Sequence, residues 1–221
     1  MPGLNFSDPA TIQRIIGMLL GILVGTTFHE FSHAYASVML GDDLPIRQGR
    51  ITLNPAAHFD PLGFFMMILL VLGIAPLAWG RPVQVNPYNL RYGRRGMAIV
   101  AAAGPISNIV TATVLALPLR FNVAMPSALA TVLFWMVYVN ILLACFNLIP
   151  LPPLDGFSVL TGLVSNYWNM LLEPIRRYGV PILLAMMFIP YFLGQTGIDL
   201  NIVIRIIGGP FALLQTLILG A

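Results

Sequence analysis

Residues Thr26–Ser37 read TTFHEFSHAYAS and lie inside an otherwise apolar run from Ile12 to Leu40. The run is long enough to cross a bilayer as a helix, which takes about 20 residues. A charged group at the centre of such a helix costs about 3 kcal/mol even on lenient insertion scales. His29 and His33 stand at i and i+4, so they share one helix face and can reach one metal ion. Glu30 projects beside them, where a carboxylate can take a proton from water. The alternative is a pair of buried core histidines with an incidental glutamate. Against it, the chain has only three histidines and two glutamates, and three of these five fall within His29–His33.

Composition sets the surroundings of this motif. The 221 residues are 58% hydrophobic and 9% charged, against about 25% charged in an ordinary soluble domain. Apolar segments recur at 12–40, 61–79, 97–119, 128–150, 178–194 and 202–220. The pattern predicts an all-α polytopic membrane protein with about five transmembrane helices. Residues 41–60 leave room for short β structure. The polar stretches are too short for a soluble domain, so 1–221 reads as one integral-membrane unit. Its chemistry falls within about 12–165, followed by C-terminal helices in 178–220. The start, MPGLNFSDPA, has no basic n-region, so the first helix is expected to be retained. Cys145 is the single cysteine, which excludes an internal disulfide. All eleven basic residues are arginines, placed in loops and at helix ends. They suit membrane topology better than nucleic-acid binding.

A catalytic zinc needs a third protein ligand and an open position. The candidates are His58, Asp60 and Asp155, with Asp42 and Asp43 behind them. Asp155 lies in FNLIPLPPLDGF (146–157), where Pro150, Pro152 and Pro153 must end the helix begun near Ala128. Broken backbone at membrane depth is tolerated where protein buries it or it lines a wet cavity. A carboxylate on such a break suits a metal ligand; a helix ending at the interface with a solvated Asp is the alternative. His58, in NPAAHFDP, is followed by Asp60, which could orient the imidazole at a metal or at substrate. It could equally be an interfacial turn residue, with Asp60 capping the next segment.

His29 and His33 lie late in the first helix, and Asp155 follows the end of helix 128–150. For one ion to hold all three, these helices must run the same way, so one of the two segments between them does not cross. Segment 61–79, with Gly63, Gly73 and Pro76, is the one expected to re-enter or embed partly. Arg47, Arg50, Arg81, Arg91, Arg94, Arg95, Arg176 and Arg177 then share one side, opposite Arg14, Arg120 and Arg205. The positive-inside rule puts the metal nearer the cytoplasmic face, the N-terminus outside and the C-terminus inside. Gly208-Gly209-Pro210 is expected to kink or interrupt the last helix.

HEFSH in the first helix, AGPISN (103–108) in a second and NLIPLPPLDG (147–156) in a third together resemble the site-2 protease family of intramembrane zinc metalloproteases. GRITLNPAAHFDPLG (49–63) and WGRPVQVNPYNLR (79–91) resemble its small prokaryotic members without PDZ or CBS domains. The resemblance implies that His29, His33 and Asp155 bind one zinc ion, with Glu30 as general base. It further implies that Asn147 contacts the substrate or reaction intermediate, and it matches Asn108 to a family asparagine whose role stays open. His58 is left as an accessory or substrate-contacting candidate. The implied partners are transmembrane protein substrates, cut within or near their spans.

Two other functions fit parts of the pattern. An ion or metal transporter would string polar residues across the bundle, whereas here they cluster near one face. A non-hydrolytic zinc scaffold would have no use for Glu30.

Overall fold

The computed structural model describes residues 5–194 and 202–220. Among them are nine α-helices and no strand. Helix α1 spans Pro9–Met39, opened by Asp8, whose carboxylate accepts the Ala10 N–H at 3.0 Å. Helices α4 (Arg94–Arg120) and α5 (Ser127–Asn147) complete the central bundle, and α8 (Glu173–Gly194) and α9 (Ile202–Leu219) flank it. These five are long and apolar enough to cross a membrane, so the chain is a multi-pass, all-α membrane protein.

The packing of α1 on α5 follows from a glycine stripe at Gly17, Gly21 and Gly25. A Cβ at Gly17 would lie 2.7 Å from Val132 O and Trp135 Cβ, and one at Gly21 would lie 3.0 Å from Met136 Cα. Small residues at this spacing let two helix backbones meet, which is what stabilises association where water supplies no hydrophobic drive.

Segment 61–79 is helical only over α3 (Pro61–Val71). Asp60 caps it, accepting the Gly63 N–H at 2.8 Å, and Gly73 at φ +71° ends it. Eleven residues of helix rise about 16 Å, roughly half the hydrocarbon thickness. The helix is too short to cross by itself, in line with the expectation of a partly embedded segment.

Three expectations are corrected. Residues 41–60 form no β structure but the short helix α2 (Leu44–Arg47) and a 3-10 turn at Pro55–Ala57. Pro45 and Pro55 lack the N–H that a ladder needs, and Gly49 turns the chain at φ +65°. Helix α9 runs unbroken through Gly208-Gly209-Pro210. It also ends on the face opposite Asp155, not on the same one. The Arg120 guanidinium, at the end of α4, donates to the carbonyls of Leu217 and Ile218. Those are the carbonyls a helix end leaves without partners, so α4 and α9 end together.

After α3 the chain returns as an extended stretch along the second half of α1. Arg81 N–H donates to His58 O at 2.7 Å, Val83 N–H to Glu30 Oε2 at 2.9 Å, and Asn86 N–H to Asp42 Oδ2 at 2.7 Å. Beyond α5, the prolines force a compact turn into α6 (Asp155–Leu163), then α7 (Asn166–Leu171). Helix α6 lies against the start of α4, where a Cβ on Gly162 would meet Arg94 O at 2.6 Å.

Candidate metal centre

Each candidate ligand is delivered by a local constraint. His29 and His33 are held one turn apart on an unbroken stretch of α1. Asp155 opens α6 immediately after the proline turn, and Gly156 fits because a Cβ there would overlap the Leu148 carbonyl. The result is that Asp155 Oδ2 lies 3.0 Å from His29 Nε2 and 3.3 Å from His33 Nε2. The two rings meet edge to face with centroids 4.5 Å apart. The three candidate ligand atoms lie within 4.8 Å of one another, the one such grouping among the described residues.

The other ring nitrogens define the chemistry. His29 Nδ1 is 2.7 Å from Asn108 Oδ1, and His33 Nδ1 is 2.7 Å from Val100 O. Both partners are oxygens, and a backbone carbonyl can only accept, so each Nδ1 carries a proton and Nε2 is the ring atom left to turn a lone pair to a metal. Three acceptors then converge, and Asp155 Oδ2 is buried without a hydrogen-bond donor. Protonating both rings would place two cations side by side in a buried site. One divalent cation satisfies all three atoms, and two imidazoles with a carboxylate suit zinc.

Helix α4 passes unusually close. A Cβ on Gly104 would lie 2.5 Å from His33 Nε2 and 2.6 Å from His29 Cε1. Gly104→Ala is therefore expected to displace the two Nε2 atoms and, if they hold zinc, to weaken its binding about 100-fold or more, the upper range for disturbing a ligand's support. Competition against a chromophoric chelator measures this.

Glu30, next to His29 in sequence, is half-buried, and its carboxylate accepts the Val83 N–H. Asn147 ends α5 and spends one amide hydrogen on Leu143 O at 2.9 Å; no hydrogen bond joins it to the three converging residues. His58 is fully buried in the loop, with Nε2 donating to Thr52 O at 2.8 Å, and it stands apart from the three. The remaining acidic candidates are engaged elsewhere. Asp60 caps α3. Asp42 is buried and accepts from Leu44, Asn86 and Asn89. Asp43 pairs with Arg47, whose guanidinium holds that exposed carboxyl below its ordinary range.

Two features escaped the sequence reading. One is the backbone of the 79–86 stretch lying on Glu30. The other is Asn140, fully buried and bonded to Asn108 at 3.2 Å. An amide in the middle of an apolar helix was the available signal.

Comparison with known proteins points to one family. The profile described as Peptidase family M50 matches residues 120–190, which include Asn147 and Asp155. YwhC of Bacillus subtilis, provisionally named a zinc metalloprotease, is 33% identical over 181 residues, covering 78% of this chain and 80% of its own length. Rip2 of Mycobacterium tuberculosis, named in the same way, is 30% identical over 179 residues, 78% of this chain and 67% of its own. A provisionally named zinc metalloprotease of Methanocaldococcus jannaschii is 27% identical over 192 residues, 85% of each. No solved structure matches the chain significantly.

Proposed function

The chain belongs to peptidase family M50, the site-2 protease family, and from that premise we propose that it is a zinc endopeptidase. Its substrates are membrane proteins, hydrolysed within or near their transmembrane segments. His29, His33 and Asp155 hold one zinc ion, which when bound supplies Lewis-acid activation of water. The observation that carries this reading is the convergence of three buried acceptor atoms beside a half-buried carboxylate.

Glu30 then acts as general base, taking the proton of the attacking water and passing it to the leaving amine. The Nδ1 bonds to Asn108 and Val100 hold both imidazoles in orientation. Asn147 retains a second amide hydrogen to offer the oxygen of the scissile carbonyl. Losing one such donor costs about 3 kcal/mol of barrier, roughly 100-fold in rate. Asn147→Leu is accordingly expected to lower kcat about 100-fold while zinc affinity stays within twofold. An equal loss in both would assign Asn147 to packing instead.

The zinc lies nearer the cytoplasmic face in this reading. The support is charge: Arg47, Arg50, Arg81, Arg91, Arg94, Arg95, Arg176 and Arg177 are assigned to the side of Asp155, against Arg14 and Arg120 on the other. Arg205, expected with the latter pair, leaves that count because it stands in the first turn of α9, whose far end lies beside Arg120. A helical substrate must unwind to present its peptide bond, which helix-weakening residues near the end of its span would ease.

The test is cleavage of single-span substrates co-reconstituted with the wild-type chain in liposomes, with cut sites mapped by mass spectrometry. Cuts within or beside the span that stop with a zinc chelator support the proposal. Cuts confined to soluble tails, or indifferent to the chelator, reject it.

A further inference from the structure

We propose that Asn140 is a positioning residue of the metal centre. It is the first link of a one-way hydrogen-bond relay that runs from the backbone of α1 through Asn140 and Asn108 to His29. The relay's purpose rests on the zinc reading above, but its geometry does not.

Direction follows from bookkeeping of donors. Asn140 Nδ2 reaches Met136 O at 2.9 Å and Gly21 O at 3.3 Å. Backbone carbonyls only accept, so both amide hydrogens of Asn140 face them, and its Oδ1 is left to accept. Asn108 Nδ2 supplies that bond at 3.2 Å and gives its other hydrogen to Gly25 O at 3.0 Å. Its Oδ1 therefore faces His29 Nδ1, 2.7 Å away. Reversing either amide would set oxygen against carbonyl oxygen at Gly21, Met136 or Gly25. The only arrangement that satisfies every group places the proton of His29 on Nδ1 and turns its Nε2 lone pair to the metal.

Asn108 and Asn140 are each fully buried, so no water can replace a lost link. The glycines of α1 make the room: a Cβ on Gly25 would lie 2.7 Å from Asn140 Oδ1 and 3.2 Å from Asn108 Nδ2. Helix α1 thus braces its own ligand, since Gly21 and Gly25 stand two turns and one turn before His29. Without Asn140, one Asn108 hydrogen loses its partner and the Asn108 side chain is no longer held in one plane. The His29 ring is then free to adopt its other tautomer, which presents a hydrogen to the metal.

The test uses the full chain in nanodiscs with 15N-labelled histidine, together with zinc affinity by chelator competition. Asn140→Leu is expected to weaken zinc binding about tenfold or more, within the range for removing support from a ligand. His29 should then show both tautomers in the zinc-free protein, where the wild type shows Nδ1–H alone. Ile141→Ala, a fully buried neighbour on α5 outside the relay, should lower the unfolding temperature yet keep wild-type affinity and a single tautomer. If Asn140→Leu does not fold, Asn140→Ser replaces it; its hydroxyl can bond Met136 O but is too short to reach Asn108, and the same losses are expected.

Wild-type affinity and a single tautomer in the Asn140 variant overturn the proposal. So does an equal loss of affinity in Ile141→Ala, or an Nε2–H His29 in the zinc-free wild type. A wild type that takes up no zinc overturns the zinc reading instead, and the ring spectra, which need no metal, still decide the relay.

Discussion

Glu30→Gln is expected to reduce peptide hydrolysis by about 10²- to 10⁴-fold, the usual contribution of a positioned general base, while leaving zinc affinity unchanged. The substitution is close to isosteric, and its amide oxygen can still accept the Val83 N–H that now lands on Glu30 Oε2. What it loses is the ability to take a proton. None of the three converging ligand atoms belongs to Glu30, so the metal site should survive intact. Measuring kcat and zinc content on the same preparation separates the two effects. Hydrolysis that persists in Glu30→Gln would remove Glu30 from the mechanism. A loss of zinc alongside activity would make it a structural support of the site.

Asp155→Ala should do the opposite, abolishing activity because zinc is no longer held. Asp155 Oδ2 is the atom both imidazoles face, and removing it leaves two ligands where a catalytic site needs three. Zinc affinity should fall by more than about 100-fold, beyond the cost of losing an outer partner of a ligand. Thermal unfolding gives a second readout. Zinc at one hundred times its Kd stabilises a folded protein by about 2.7 kcal/mol. That gain should be present in the wild type and in Glu30→Gln and absent in Asp155→Ala. Zinc stabilisation of Asp155→Ala equal to that of the wild type would show that another residue completes the site.

Much of the centre could be read from spacing, because its constraints are local or covalent. The i, i+4 histidines need only a helix, and the three prolines after Asn147 must break one, which sets Asp155 at the start of a new helix. The requirement that both arrive at one depth left one of the two intervening segments not crossing, and Gly63, Gly73 and Pro76 pointed to 61–79, where α3 is only eleven residues long. What could not be read depends on helix register. Asn108 and Asn140 are 32 residues apart, and nothing in either helix alone shows that they face each other or the carbonyls of α1. The direction of α9 was misjudged for a similar reason. Apolar length says that a helix can cross, but the bond from Arg120 to the α9 carbonyls decides which way it runs. The β structure considered for 41–60 gave way to proline and glycine, whose backbone limits act over only a few residues.

The most direct measurement is zinc K-edge X-ray absorption on the purified full chain, with metal content determined on the same sample. One zinc per chain, coordinated by two imidazoles and oxygen at about 2.0–2.2 Å, is the predicted result. Thiolate sulfur at about 2.3 Å, for which Cys145 is the single cysteine, or a chain that retains no zinc, would contradict the account at its centre.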